Sequence, residues 1–239
     1  MKRTLIGMLT PSSNTVLEPI TSLMLADTFP TTTAHFARFR VTSISLEAQS
    51  RGQFDQAPVI AAAELLADAK VDVIVWNGTS ASWLGFERDE ALCRAITART
   101  GCPATSAILG LNDLLKQRGL SRLGLVTPYA RDVQERIVAN YAGAGVEIVA
   151  ERHLGLTDNF SFALSTEEEI AGLCRDVAQA GPEAIAIVCT NMRGAFVAPA
   201  LESELGMPVF DSVAFTLWKA MAITGAETGA LRRWGSLFQ

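Results

Sequence analysis

The chain has 239 residues, 49% of them hydrophobic and 19% charged, with a formal net charge of -5. That length and apolar content suffice for a sizeable core, in one large domain or in two lobes of about 100–120 residues. Lys and Arg are scattered rather than clustered, which argues against a nucleic-acid partner, and no apolar stretch approaches the ~18–20 residues needed to cross a membrane.

Short apolar runs alternate with longer amphipathic ones along the chain. In order, strands are predicted at Thr4–Leu9, His35–Val41, Val71–Trp76, Ala104–Ser106, Leu123–Thr127, Glu147–Ala150, Ala184–Val188 and Val209–Phe210. Helices are predicted between them at about 18–27, 56–69, 87–99, 107–118, 130–143, 166–179, 195–205 and 212–223. This alternation specifies an α/β fold with parallel sheets covered by helices. Val71–Trp76 and Ala184–Val188 are almost continuously apolar, as strands buried on both faces are.

A loose internal repeat runs through the chain. IGMLTPSSNT near the N-terminus is similar to LGLVTPYARD at 123–132, DVIVWNGTS at 72–80 to AIAIVCTNM at 184–192, and PATSAILGLNDLL at 103–115 to PVFDSVAFTLWKA at 208–220. The order is the same in both halves. Two pseudo-symmetric lobes follow, each a parallel four-stranded sheet flanked by helices: a first lobe at 1–112 and a second at 113–211. The tail 212–239 is expected to pack back on the first lobe. Ligands of open α/β sheets sit beyond the carboxyl ends of the strands. Facing lobes would therefore bring Pro11–Asn14, Asn77–Ser82, Pro128–Ala130 and Cys189–Arg193 to one cleft.

The start, MKRTLIGMLTPSSN, has a basic pair but only a short apolar run broken by Gly7 and Pro11, unlike a secretory signal. The four cysteines (Cys93, Cys102, Cys174 and Cys189) form no CxxC pair, and His35 and His153 are the only histidines. A structural zinc site is therefore not expected, and reduced thiols in a cytoplasmic chain are the economical reading. Dinucleotide, P-loop, HExxH and GxSxG motifs are absent from the sequence. Assembly into a homo-oligomer is left open.

Cys189 is the thiol placed for chemistry: it follows a buried strand directly and opens a loop that leads into a helix. Helix N-termini and nearby donors suit a thiol to proton transfer, whereas a cysteine in an apolar run is otherwise a small core filler. Cys93 and Cys174 fall within amphipathic helices and Cys102 in a turn. Gly78, Thr79 and Ser80 occupy the matching loop of the first lobe, where hydroxyls and backbone N–H groups after a strand can form an anion nest or simply a turn. Ser12 and Asn14 sit in a similar polar loop that reads equally as a cap or a carboxylate cradle. Tyr129 follows a Thr-Pro turn and Asn159 lies in the polar run 157–159; either can reach a cleft or stay on the surface. Trp76, Trp83 and Phe86 flank the first-lobe loop and are read as core residues, or as the lining of an apolar pocket.

The segments LTPSSNT at 9–15, GTSAS at 78–82, TPY at 127–129 and VCTN at 188–191, set in the two-lobed repeat, resemble the Asp/Glu racemase superfamily, in particular its maleate isomerase and arylmalonate decarboxylase branch. The resemblance implies a cofactor-independent enzyme acting next to a carboxylate of a small dicarboxylic or substituted malonic acid. Racemases and isomerases of that superfamily use one cysteine from each lobe. Carried over, the second is Cys189, and the first falls on Gly78 or on Asn77. The arylmalonate decarboxylase branch has glycine there, followed by Thr-Ser. The resemblance thus implies decarboxylation through an enediolate held by Gly78-Thr79-Ser80 and protonated by Cys189, with Tyr129, Thr190 and Asn191 among the substrate contacts. On that reading Gly78→Cys would introduce racemising activity. Ser12, Asn14 and Asn159 instead resemble the maleate isomerase pattern. A cis-trans isomerase or racemase is therefore the alternative enzyme, and a non-catalytic dicarboxylate-binding protein the alternative from another class.

Overall fold

The computed structural model of the protein describes residues 3–41 and 56–239. The first sheet is built from β1 (Thr4–Pro11), β2 (Thr32–Phe39), β3 (Val73–Trp76) and β4 (Ala104–Ser106), in the order β2-β1-β3-β4. The second comprises β5 (Arg122–Tyr129), β6 (Glu147–Leu156), β7 (Ala184–Ile187) and β8 (Val209–Asp211), in the equivalent order β6-β5-β7-β8. Every pairing is parallel. The predicted pair of pseudo-symmetric α/β lobes is therefore the architecture observed.

In the first lobe the helices are α1 (Leu17–Met24), α2 (Gln56–Asp68), the short α3 (Ala81–Leu84), α4 (Phe86–Thr100) and α5 (Ala107–Arg118). The second lobe contributes α6 (Arg131–Gly143), α7 (Glu167–Ala178) and α8 (Gly194–Leu205), and α9 (Ser212–Thr224) follows β8. The position 112/113, where the sequence divides the lobes, lies within α5. Helix α9 packs on α5 and also touches α1, β3 and β4, and Lys219 of α9 pairs with Asp113 of α5 at 2.6 Å.

The repeat has visible physical causes. In each lobe a glycine on the first strand lets a neighbouring segment approach the sheet: a Cβ at Gly7 would lie 3.0 Å from Val71 Cγ2, and one at Gly124 2.3 Å from Val177 Cγ1. In each lobe the last strand also ends on a side chain that caps the following helix. Ser106 Oγ accepts from Leu109 N at 3.1 Å, and Asp211 Oδ1 accepts from Val213 N at 2.8 Å and Ala214 N at 3.1 Å. Such caps satisfy helix N–H groups that have no intrahelical partner.

The edge strands run longer than the sequence suggests. Strand β2 runs from Thr32 to Phe39 rather than from His35 to Val41, and β6 continues to Leu156 rather than stopping at Ala150. Both lie at sheet edges, where one side is solvated and polar residues such as His35, Glu151 and Arg152 hide the pattern. Among the described residues no helix is long and apolar enough to cross a membrane.

Candidate active site

The carboxyl ends of β1, β3, β5 and β7 meet at the seam between the lobes, and polar side chains tie their loops together. Thr190 donates its hydroxyl to Asn77 O at 2.8 Å and accepts from Asn14 Nδ2 at 3.1 Å. Asn14 is itself fixed, because its Oδ1 accepts from Val16 N and Leu17 N at the start of α1. Asn191 Oδ1 accepts from Thr15 N at 2.9 Å, and its Nδ2 donates to Asn159 O at 2.5 Å. Asn159 Nδ2 donates to Ser13 Oγ at 2.7 Å, and Asn140 Nδ2 to Ser82 O at 3.0 Å. Asn14, Asn159, Thr190 and Asn191 are all buried. Ser12 stands apart: it is exposed, and its hydroxyl is engaged by the backbone of Val41.

Cys189 begins the loop after β7 and is 3% exposed. Its backbone N–H donates to Ser212 Oγ at 2.8 Å, and that hydroxyl donates to Ile187 O at 2.6 Å. The first residue of α9 thus pins the strand end that carries the thiol. Asn191 N–H points at Cys189 Sγ from 3.4 Å, and the Met192 N–H and the Tyr129 hydroxyl also favour negative charge on sulfur. Burial outweighs these donors and, with nearby Asp211 acting the same way, pushes the thiol up to about 12. The resting group is a neutral S–H, with the Asn191 and Met192 N–H groups and the Tyr129 hydroxyl beside the sulfur.

Tyr129 ends β5 and is buried against Trp83 and Phe162, with ring centroids 5.0 and 5.5 Å away. Its hydroxyl lies 2.6 Å from Thr79 Oγ1. Burial holds the phenol well above its usual range, so it remains a donor. Thr79 and Ser80 are buried and immediately precede α3, where the Ser82 N–H donates to Thr79 O and the Trp83 and Leu84 N–H groups donate to Ser80 O. The structure thus brings together Asn14, Gly78, Thr79, Ser80, Tyr129, Asn159, Cys189, Thr190 and Asn191.

The first-lobe position holds no thiol. Asn77 turns its amide away into its own sheet, donating to Leu9 O at 3.1 Å and Val75 O at 3.0 Å. Gly78 is covered by the indole of Trp76: a Cβ there would lie 1.8 Å from Trp76 Cζ2 and 2.3 Å from Cε2. Gly78→Cys is therefore not accommodated unless the indole moves, which corrects the simple expectation of a gained thiol. The remaining cysteines are buried elsewhere, Cys93 in α4, Cys174 in α7, and Cys102 donating its thiol to Val71 O. Among the described residues no group of three or more His, Cys, Asp and Glu side chains is arranged to hold a metal ion.

Sequence reasoning missed Ser13, Ser212 and the buried acid Asp211. Ser212 could have been found from the repeat, since it lies in the segment 208–220 that matches 103–115. Ser13 is adjacent to a residue that was singled out and carries no separate signal.

The sequence profile of the arylmalonate decarboxylase family matches residues 16–238. The maleate isomerase of Geobacillus stearothermophilus is 24% identical over 235 residues, covering 93% of this chain and 92% of that one. The arylmalonate decarboxylase of Bordetella bronchiseptica is 30% identical over 169 residues, 70% of each chain. The crystal structure of a Pseudomonas putida S16 maleate isomerase variant with maleate superposes with a TM-score of 0.90 at 22% identity, covering 99% of this chain and 98% of that one. The chain belongs to the arylmalonate decarboxylase family, in the branch of the Asp/Glu racemase superfamily that it shares with the maleate isomerases.

Proposed function

We propose that the chain is a cofactor-independent decarboxylase of small malonic or dicarboxylic acids, in which Cys189 protonates the carbanion left by loss of CO2. One observation carries the reading: a single neutral thiol stands at the seam, and the pseudo-equivalent position in the other lobe is Gly78 under the Trp76 indole. A two-thiol racemase needs a base at both positions. A nucleophilic thiol needs to be ionised, and burial opposes that at Cys189.

In the proposed sequence one substrate carboxylate sits against the N–H groups of Thr79 and Ser80. The bond from the α-carbon to the second carboxylate breaks, CO2 departs, and the electron pair passes into the retained carboxylate as an enediolate. Donors already in place hold that charge without reorganising. Cys189 S–H then gives its proton to the α-carbon, and the electron pair of the S–H bond stays on sulfur. The thiolate so formed accepts hydrogen bonds from Asn191 N–H, Met192 N–H and Tyr129, and water returns its proton. An enediolate is a far stronger base than a thiolate, so the transfer runs downhill even from a thiol with a raised pKa.

The test is release of CO2 from methylmalonate by the intact chain and by Cys189→Ala. Release by the former and a loss of about 10³-fold or more in the latter is expected. A folded Cys189→Ala protein that turns over at the original rate contradicts the role of the thiol.

A second reading, maleate-type cis-trans isomerisation, is favoured by Asn14 and Asn159, which resemble isomerase substrate contacts and are both buried at the seam. Conversion of maleate to fumarate without CO2 release would establish it instead.

A further inference from the structure

Trp76 is the part of the seam that the proposed reaction does not use. It ends β3, is 2% exposed, and lays its ring where a side chain at position 78 would project. Beside it is a cavity of about 180 Å³ whose lining includes Val59, Trp76, Ser80, Leu84, Asp89 and Leu92. Trp76 and Ser80 thus border both the Gly78 loop and the cavity, and the indole stands between them.

The indole is held from two sides. The Phe39 ring lies 5.1 Å away, inclined at 48°. On the other side Asp89 of α4 accepts from the indole N–H and from the Ser106 hydroxyl, while Ser106 Oγ simultaneously accepts from Leu109 N. Asp89 is 3% exposed, and its Oδ2 has no partner among the described residues. A buried carboxyl with an unpaired oxygen costs stability. Local departures of this kind concentrate where function requires them, and what Asp89 provides here is a fixed indole.

We infer that Trp76, with Asp89 as its positioning residue, sets substrate size by separating the Gly78 loop from the cavity and limiting the enzyme to diacids with a small alkyl substituent. This deepens the decarboxylase reading and rests on it for the identity of the diacid. The cavity is comparable in volume to one of about 150 Å³ that accommodates benzene, and Gln56, Ser80, Arg88 and Asp89 add polar groups to its apolar wall of Val59, Leu84 and Leu92. Once the indole is cut back, the space beside Gly78 would therefore admit an aryl group.

The experiment is calorimetric binding of methylmalonate and phenylmalonate to the unaltered chain, Trp76→Ala, Trp76→Leu, Asp89→Ala and Asp89→Asn, with circular dichroism checking each fold. The unaltered chain is expected to bind methylmalonate about tenfold or more tightly than phenylmalonate. Whichever Trp76 variant folds should lose or reverse that preference. Asp89→Ala should narrow it, and Asp89→Asn, whose amide oxygen can still accept from the indole N–H, should retain it. An unchanged methyl-to-phenyl ratio in a folded Trp76 variant overturns the inference, as does equal affinity in the unaltered chain or no binding of either diacid. CO2 release is measured separately. Its absence alongside the expected binding ratios would sink the decarboxylase reading and leave the size selection standing.

Discussion

The Tyr129 hydroxyl lies 2.6 Å from Thr79 Oγ1 and also reaches Cys189, joining the proposed carboxylate loop of one lobe to the proton donor of the other. In the thiolate state the order of donors is fixed. The Thr79 hydroxyl donates to the phenol oxygen, and the phenol proton points at sulfur.

Tyr129→Phe should therefore harm catalysis more than fold. It removes the donor to the thiolate and leaves the buried Thr79 hydroxyl without its partner, a cost of about 1–3 kcal/mol. A kcat lower by about 10–100-fold is expected, with a smaller change in KM, because the lost contact forms as charge develops. Steady-state kinetics on methylmalonate checks this. An unchanged kcat would remove Tyr129 from the mechanism.

The protonation state of Cys189 makes a further prediction. A thiol pushed up to about 12 remains protonated throughout the neutral range. A reaction that needs S–H should then hold a flat kcat/KM from about pH 7 to about pH 9. A reaction needing thiolate would climb about tenfold per pH unit across that span. The pH–rate profile separates the two, and a rising limb of unit slope would refute the acid role.

Two buried carboxyls, Asp89 and Asp211, shape stability rather than rate. Burial raises both from 3.8 to about 7, against the opposing pull of their hydrogen bonds. Each therefore keeps its proton in the folded chain between about pH 4 and pH 7, where the unfolded chain has lost it. The folded state binds more protons in that window, so stability falls as pH rises through it and levels off above. Thermal melts at pH 5 and pH 8 should show a lower Tm at pH 8, and Asp89→Asn and Asp211→Asn should each reduce the difference. Asn preserves the α9 cap as well as Asp does. Equal pH slopes in all three proteins would show that these carboxyls ionise normally.

Much of this arrangement was legible in the sequence because a repeat constrains more than periodicity alone. The Thr-Pro strand ends, the polar loops after β3 and β7, and the matching segments 103–115 and 208–220 recur in the same order, and they pointed to two lobes and to the loops that meet. Cys189 was legible as a strand end, and Asn14, Thr79, Tyr129, Asn159, Thr190 and Asn191 as polar residues in those loops. The Trp76 indole was not. The continuous apolar run of β3 says only that it is buried, and its position over Gly78 depends on packing against Phe39 and Asp89, which lie outside that run. Asp89 was hidden as well, since an acid in the first turn of α4 reads as an ordinary helix-dipole partner. The orientation of Ser12 was equally unreadable, because Val41, the residue that holds it, belongs to another segment.

The central claim is that one neutral thiol protonates a carbanion created by loss of CO2. It is tested most directly by turnover of a malonate with two different α-substituents, ethylmethylmalonate, in D2O, followed by NMR and chiral analysis of the product. One deuteron per molecule of CO2, delivered to a single face, is the expected result. Racemic product, or consumption of the substrate without CO2 release, would contradict it.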